Sequence, residues 1–427
     1  MLLVTCCWLL ATGCSLLVAR YLLLVAGFFK PFETPEAWNN PYLRYDFAAL
    51  TLNNLDLEHS ETPTNHLRIK KVHYLCKMSV IHTKIDIRQF DLPELEAWFT
   101  EKGQARFRAK QVFEWLWKKS AFSFEVMTNL SKELRQELEE HFEILPIVSD
   151  KVQQSNDGTI KSRFRLYDGH LIESVLIPVP DDNRYTVCVS CQVGCSLSCT
   201  FCATGLMERQ RNLTAAEIYD QVVLVNEQCL EAFGHPLTNI VYMGMGEPLL
   251  TYREVKKSIE MITSPSGLGM SPKRITVSTA GIAKMILKMA DDDLRVNLAL
   301  SLHAADDTKR DKIMPINEHN NLKVLMEALT YFHENTKNKI SYEYIAFNDF
   351  NVTFQDAKNL LKLCKHFPVR VNIIEYNKVE GLDFVKAGED QINEFAKYLR
   401  DHGVMITVRR SRGKDIDAAC GQLANKE

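Results

Sequence analysis

The spacing of apolar residues changes along the chain, and each change predicts a different kind of structure. Residues 1–20 are almost purely apolar and residues 21–29 continue the run, which is long enough to cross a bilayer. Residues 39–66 have no clear period and read as linker. Regular patterning begins near Ile81. Residues 92–100 and 107–119 are amphipathic and helical. In the second stretch, apolar Val112, Phe113, Leu116 and Trp117 oppose polar Arg108, Lys110, Gln111 and Lys118. Residues 130–142 predict a third helix with Ser131 as its N-cap. Residues 148–178 alternate, with turns at Asn156-Asp157-Gly158 and Asp168-Gly169, and so predict antiparallel strands.

From Tyr185 the rhythm becomes strand, loop, helix, repeated. Strands are predicted over 185–190, 239–243, 274–279, 296–303, 340–347 and 369–376, with helices over 215–232, 252–262, 282–289, 322–334 and 354–366. A last helix over 391–401 precedes a strand over 404–409. These β/α units predict an α/β protein built on a partial (β/α)6 barrel, with a small N-terminal helical domain and a short antiparallel β segment ahead of it. The expected divisions are 1–80 (apolar leader and linker), 81–147 (helical domain), 148–184 (antiparallel segment), 185–410 (partial barrel) and 411–427 (C-terminal loop and tail). In such barrels the chemistry gathers at the C-terminal ends of the strands.

Composition narrows the class. The 427 residues are 46% hydrophobic and 25% charged, which excludes a wholly disordered chain. The net charge is −3, so any grip on nucleic acid must come from local patches. Of the 12 cysteines, Cys191, Cys195, Cys199 and Cys202 crowd together with Cys188 just before them. Clustering in so long a chain favours metal binding or catalysis over disulfide bridges.

Cys195, Cys199 and Cys202 form Cys-x3-Cys-x2-Cys directly after the first barrel strand. Three close thiolates can hold three irons of a [4Fe–4S] cube and leave the fourth iron open. A structural zinc site is the plainer alternative, but zinc usually takes four ligands in two pairs, and no second Cys/His pair follows at such spacing. The spacing, followed by Ala203-Thr204-Gly205, resembles the radical S-adenosylmethionine (SAM) superfamily. That resemblance implies that the open iron chelates the amino and carboxylate groups of SAM. It also implies that one electron from the cluster breaks the sulfonium to give a 5′-deoxyadenosyl radical.

Met243-Gly244-Met245-Gly246-Glu247-Pro248 ends the second strand. Glycines let backbone approach a ligand, and a carboxylate accepts from an ammonium. On its own the run is a strand-to-helix turn. After the cysteine triad it resembles the superfamily's SAM-amino motif, which makes Gly246 and Glu247 cofactor-binding candidates. Ser278, Ser301-Leu302-His303 and Asn377 fall at the ends of the third, fourth and sixth strands. One such polar residue is usually a cap, whereas several on successive rims line a shared site.

Cys188 and Cys420 read by themselves as buried small hydrophobes. Their surroundings change that reading. Val187-Cys188-Val189-Ser190, Gln192-Val193-Gly194-Cys195, the Gly-Met-Gly-Glu-Pro-Leu-Leu run and the loop Asp417-Ala418-Ala419-Cys420-Gly421-Gln422-Leu423 resemble the RlmN family of RNA methyltransferases. The resemblance extends from about Phe90 to Ala424. It implies methylation of adenine C2 in 23S rRNA and in tRNA, at the adenosine 3′ of the anticodon. By the same resemblance Cys420 carries the methyl group, a methylene radical on its sulfur adds to C2, and Cys188 resolves the adduct by a disulfide with Cys420. Glu173 matches the family's proton acceptor; its plainer reading is a solvent-facing strand residue. Cys191 stands where most relatives carry Ser, and it is not expected to be a ligand.

RNA as substrate implies a basic grip. Arg409, Arg410, Arg412 and Lys414 lead into the Cys420 loop. Arg163 with Arg165, Arg209 with Arg211, and Arg108 with Lys110 are further candidates. The expected partners are 23S rRNA, tRNA and an electron donor such as flavodoxin or ferredoxin, with the enzyme a monomer. An oxygen-sensitive cluster fits the cytoplasm. The leader carries no positive charge before Arg20, unlike a signal peptide. It reads either as an extension upstream of a working start at Met78 or as a membrane anchor over 1–29 with the enzyme in the cytosol. Three rival functions remain. They are a Cfr-type adenine C8 methyltransferase, a different radical SAM reaction such as sulfur insertion, and a zinc-stabilised RNA-binding protein without catalysis.

Overall fold

The computed structural model describes residues 84–426. The apolar leader, the linker and the alternative start at Met78 lie outside the described residues. The first described unit comprises β1 (Ile85–Asp86), α1 (Leu92–Glu101), α2 (Phe107–Trp117), α3 (Lys132–His141) and β2 (Phe142–Glu143), with β1 and β2 paired in parallel. Asp91 and Glu94 cap α1 reciprocally, and Ser131 caps α3 through Leu134 N, as its sequence predicts. Phe142, expected to end the third helix, is instead the first residue of β2. Leu95, Phe99, Val112, Leu116, Trp117, Leu134 and Leu138 fill the core of this unit.

Ten of the twelve described strands that follow belong to one sheet. β3 (Val148–Gln154), β4 (Ile160–Arg165) and β5 (Leu171–Val179) are antiparallel, and β5 pairs directly with β6 (Arg184–Cys188). The antiparallel strands therefore extend the barrel sheet. Next come the small hairpin β7 (Gln192–Val193) and β8 (Arg211–Asn212), then α4 (Ala215–Phe233). The alternation continues through β9 (Asn239–Tyr242), α5 (Tyr252–Thr263), β10 (Ile275–Thr279), α6 (Ala283–Asp291), β11 (Asn297–Ser301), α7 (Asp307–Ile313), α8 (Leu322–Thr336), β12 (Ile340–Ala346), α9 (Phe354–Leu363), β13 (Val369–Glu375), α10 (Glu389–Asp401) and β14 (Met405–Arg409).

In the ten-stranded sheet the order is β14-β13-β12-β11-β10-β9-β6-β5-β4-β3. Strands β6 and β9 to β14 are mutually parallel, and the sheet does not close. This is the expected partial barrel with one parallel strand more, because β14 joins it. The central strands are buried on both faces, as parallel strands must be. Tyr342 and Tyr344 of β12 point to the helices: Tyr342 OH donates to Met326 Sδ at 3.2 Å, and the Tyr344 ring stacks on Phe395 at 5.5 Å. Alternation along the strand then turns Ser341, Glu343 and Ile345 to the opposite, concave face.

Arg88 locks the helical unit to the sheet layer. Its NH1 donates to both carboxylate oxygens of Asp220 on α4 at 2.7 and 2.9 Å, and its NH2 donates to Asp86 at 3.1 Å and to Leu145 O at 2.8 Å. All three charged groups are buried. Trp117 packs edge-on against Tyr219 of α4 at 5.0 Å.

Candidate active site

The cysteine loop runs from Gly194 to Leu206 between β7 and β8, at the C-terminal ends of the strands. Gly205 lets it fold tightly, since a Cβ there would lie 2.7 Å from Cys199 O. Thr200 N donates to Ile313 O at 3.0 Å, which fixes the loop to the end of α7. Phe201 packs with Ala280, Ile313, Met314, Ile345, Phe347, Ile374 and Tyr376, and Cys199 and Cys202 lie against this small second core.

Burial pushes up the pKa of all three loop thiols, Cys195 to about 11. The charges of Cys195 and Cys202 resist ionisation of Cys199, and that of Cys202 resists ionisation of Cys195. The three thiols thus lie in one another's field, and a cationic group among them would reverse the shifts. Cys191 is no fourth ligand: it is buried and its Sγ donates to Met245 O at 3.6 Å. Three loop thiols, with Cys191 turned away to Met245 O, suit three corners of a [4Fe–4S] cube and leave the fourth iron open.

The strand rims beside this loop hold the expected cofactor residues. Gly246 has φ +99°, and a Cβ there would come within 2.5 Å of Gln192 Cβ. The close packing lets Glu247 N donate to Gln192 Oε1 at 2.8 Å. Glu247 is buried, and burial raises its pKa; its carboxylate accepts from Ala280 N at 2.8 Å and Leu249 N at 3.0 Å. Ser278 and Ser301 bring their hydroxyls to 3.4 Å across neighbouring strands. His303 has φ +54° and meets the Phe201 ring edge-on at 4.8 Å, which joins this rim to the cysteine loop. Its Nδ1 accepts from Ile345 N at 3.2 Å, and burial beside Arg310 pushes its pKa down to about 3, so the ring is neutral. Leu302 contributes backbone only, because its side chain is buried in the main core. Asn377 is buried after β13, with its Nδ2 donating to Glu375 O at 3.3 Å.

Arg310, on α7, carries no signal in the sequence, yet it organises these rims. It is fully buried, and its guanidinium donates to Leu302 O at 3.2 Å, Ser301 O at 3.3 Å, Ala280 O at 2.5 Å and Asn317 Oδ1 at 2.6 Å. Its charge also favours ionisation of Cys199.

The C-terminal loop closes over the cysteine loop. Ala203 N donates to Gly421 O at 2.8 Å, and Thr204 Oγ1 donates to Leu423 O at 2.6 Å. Cys420 is solvent-accessible, but it sits in a concave surround of protein that raises its pKa. Cys188, the last residue of β6, is buried and pushed up to about 12, first by burial and then by the charge of Cys420. Both are free thiols in this structure, and each lies in the field of Arg409.

Glu173 is a buried residue of β5, so the solvent-facing reading is excluded. Its Oε2 accepts from Ala424 N at 3.0 Å and Asn425 N at 3.2 Å, and Lys161 Nζ lies 3.4 Å from its Oε1. Lys161 is the partner that sequence reading missed.

Most of the basic candidates are already paired with acids. Arg163 and Arg165 share Asp150, Arg211 lies between Asp168 and Glu217, Arg410 meets Glu389, and Lys414 bonds Glu375. Arg209 and Arg412 instead donate to neutral oxygens, at Asn212 and at the Asp157 carbonyl. Arg108 lies over the exposed Phe107 ring at 4.8 Å.

An open parallel sheet with a three-cysteine loop and glycine-lined rims at its strand ends defines a radical SAM enzyme. Residues 189–364 match the radical SAM superfamily, and residues 85–144 match the ribosomal RNA large subunit methyltransferase N-terminal domain. The chain belongs to the RlmN family of dual-specificity RNA methyltransferases. It is 55% identical over 357 residues to the probable dual-specificity RNA methyltransferase RlmN of Cytophaga hutchinsonii, covering 83% of this chain and 97% of that protein. It is 44% identical over 343 residues to the dual-specificity RNA methyltransferase RlmN of Geotalea uraniireducens, covering 80% and 97%. A crystal structure of a radical SAM methyltransferase from Sphaerobacter thermophilus superposes with a TM-score of 0.75 at 39% identity, covering 80% of this chain and all of that one. Among the described residues no helix is long and apolar enough to cross a membrane.

Proposed function

We propose that the protein methylates C2 of adenine in RNA, acting on 23S rRNA and on the adenosine 3′ of a tRNA anticodon. The observation that carries this reading is the seating of the Cys420 loop on the cysteine loop through Ala203 and Thr204, with Cys188 in the field of the Cys420 thiol. Adenine C2 is an amidine carbon with no useful nucleophilicity, so direct attack on a sulfonium methyl is not open to it. Cys195, Cys199 and Cys202 would hold one [4Fe–4S] cluster, and Gly246, Glu247, Ser278, Ser301, Leu302, His303 and Asn377 would hold SAM. When bound, the cluster and SAM together supply a carbon radical able to take hydrogen from a methyl group.

The chain's own residues do the rest. Cys420 carries the methyl as a thioether, in a loop open to solvent on one side and so to RNA. Glu173 accepts the proton lost from C2, with Lys161 Nζ 3.4 Å from its Oε1. Cys188 then gives up its proton and attacks the Cys420 sulfur: the S–S bond forms as the S–CH2 bond to the base breaks, and the released carbon takes up a proton to become the methyl group. Burial keeps Cys188 a neutral thiol until that step. Arg209 and Arg412, which have no ion pair among the described residues, would contact phosphates. An electron donor such as flavodoxin or ferredoxin completes the cycle.

Anaerobic turnover of Cys420→Ala tests the reading. The expected result is no 2-methyladenosine, with SAM cleavage retained. Methylation by that variant would exclude Cys420 as carrier, and 8-methyladenosine from the unaltered enzyme would replace the C2 assignment.

A further inference from the structure

Glu343 sits on the concave face of β12 and is 5% exposed. One of its oxygens is fully used: Oε1 accepts from Ser341 Oγ at 2.9 Å and from Asn372 Nδ2 at 2.8 Å. The other oxygen, Oε2, is buried with no hydrogen-bond partner. It forms an ion pair with Arg409 NH1 at 3.6 Å, beyond hydrogen-bond distance, on a side chain that is 41% exposed. Buried acceptors are rarely left bare unless a ligand supplies the donor. Arg409 leads by sequence into the Cys420 loop, and both charges act on the thiol assigned as methyl carrier.

We propose that Glu343 and Arg409 read the Watson–Crick edge of the target adenine, Glu343 Oε2 accepting from the exocyclic amine and Arg409 donating to ring nitrogen N1. The inference rests on the proposed C2 reaction. In adenine only N1 separates C2 from the carbon bearing the amine, so a base with C2 at Cys420 carries N1 and the amine into the same pocket. Adenine presents a donor beside an acceptor on this edge, and the protein presents an acceptor beside a donor. Guanine presents the reverse order and would set its O6 against the carboxylate. A hydrogen bond to N1 also draws electron density from C2, which favours addition of a carbon radical there.

The substitution Glu343→Gln tests this cleanly. Ser341 and Asn372 both donate to Oε1, so they hold the amide oxygen at that position. The amide NH2 then faces the pocket and replaces an acceptor with a donor. RNA hairpins carrying adenosine or purine riboside (which lacks the amine) at the target position are compared for kcat/KM and for binding without SAM. The unaltered enzyme should prefer adenosine by at least about tenfold, and Glu343→Gln should bring the ratio close to one. SAM affinity should stay within about twofold, since Glu343 meets Leu302 and His303 only through its backbone carbonyl, which the substitution keeps. In parallel, Arg409→Met, on a half-exposed side chain, should lose its preference for adenosine over 1-deazaadenosine. An unchanged adenosine preference in both variants overturns the inference and leaves the methyltransferase reading intact. A tenfold loss of SAM affinity in Glu343→Gln with the preference unchanged also overturns it, by placing a SAM hydroxyl at Oε2. Unaltered enzyme that forms no methyladenosine at all removes the function itself.

Discussion

Replacing Arg310 by Met should cost the cluster-free protein about 3 kcal/mol of stability. Two buried acceptors, Ala280 O and Asn317 Oδ1, lose donors that stand at 2.5 and 2.6 Å. Each bare acceptor costs about 1–3 kcal/mol, so together about 2–6. Leu302 O keeps a second donor, Ala304 N at 2.6 Å, and the bond to Ser301 O is long at 3.3 Å, so neither adds much. Against this, the native protein holds a desolvated cation pushed down to about 10 by burial. Its counter-charges, Asp307 and Asp311, reach it through Asn317, whose Nδ2 donates to them at 2.9 and 2.7 Å. Removing that cation returns ~1–2 kcal/mol. Urea unfolding followed by circular dichroism measures the balance. Arg310→Lys should fall between the two, because the ammonium keeps the charge but cannot reach every carbonyl. A Met variant within about 0.5 kcal/mol of the parent would refute the reasoning.

Gly246→Ala should lower SAM affinity by more than about tenfold while the fold survives, because the new Cβ must displace Gln192 and with it the bond that positions Glu247; equilibrium dialysis of the cluster-loaded protein is the check, and unchanged affinity counts against the packing argument. Asp220→Ala leaves Arg88 buried with half its counter-charge and should cost about 3–5 kcal/mol. Limited proteolysis should then cut near residues 144–147, and intact resistance would mean that the helical unit is held by other contacts. Desolvation pushes buried Cys188 and half-buried Cys364 up to about 12 and Cys229 to about 11. The folded state therefore keeps protons that the unfolded chain gives up near pH 9. The stability they contribute is complete below that pH and is lost as pH rises toward 12. Thermal midpoints of the cluster-free protein should decline above pH 9 and decline less in a Cys229→Ala, Cys364→Ala double variant; a flat profile to pH 10.5 contradicts the shifts.

What the sequence could and could not reveal follows from the range of each interaction. The helices of the first unit and the β/α alternation were readable because their apolar spacing reports burial residue by residue. The end of the second helix was set two residues late, since Lys118 and Lys119 continue a helical composition past Trp117. Helix α7 escaped notice because only Arg310 and Ile313 of its seven residues are buried, and so short a charged segment has no readable period. The β7–β8 hairpin has strands of two residues, too short for any alternation. The cysteine triad and the Gly-Met-Gly-Glu-Pro turn were readable for a different reason: a cluster or a ligand needs those residue types close together along the chain.

The rest of the site is written in distant pairs, and the C-terminal tail makes the point. Residues 413–425 are held by Asp157 at Gly413, by Ser155 at Asp415, by Ala203 and Thr204 in the cysteine loop, by Lys378 at Gln422 and by Glu173 at Ala424 and Asn425. These partners come from the antiparallel strands, the first barrel loop and the segment after β13. On the proposed reaction the sulfur of Cys420 must reach both the cofactor and a base that enters from solvent, so Cys420 is exposed while Ala418, Ala419, Gln422 and Leu423 around it are buried. Polar clamps from separate elements add to the core packing of Ala418 and Leu423 and leave Cys420 itself exposed. This explains why Glu173 and Lys161 are buried on an edge extension of the sheet. The antiparallel strands are the part of the fold that fixes the tail, and loss of that ion pair should loosen the Cys420 loop before it disturbs the barrel.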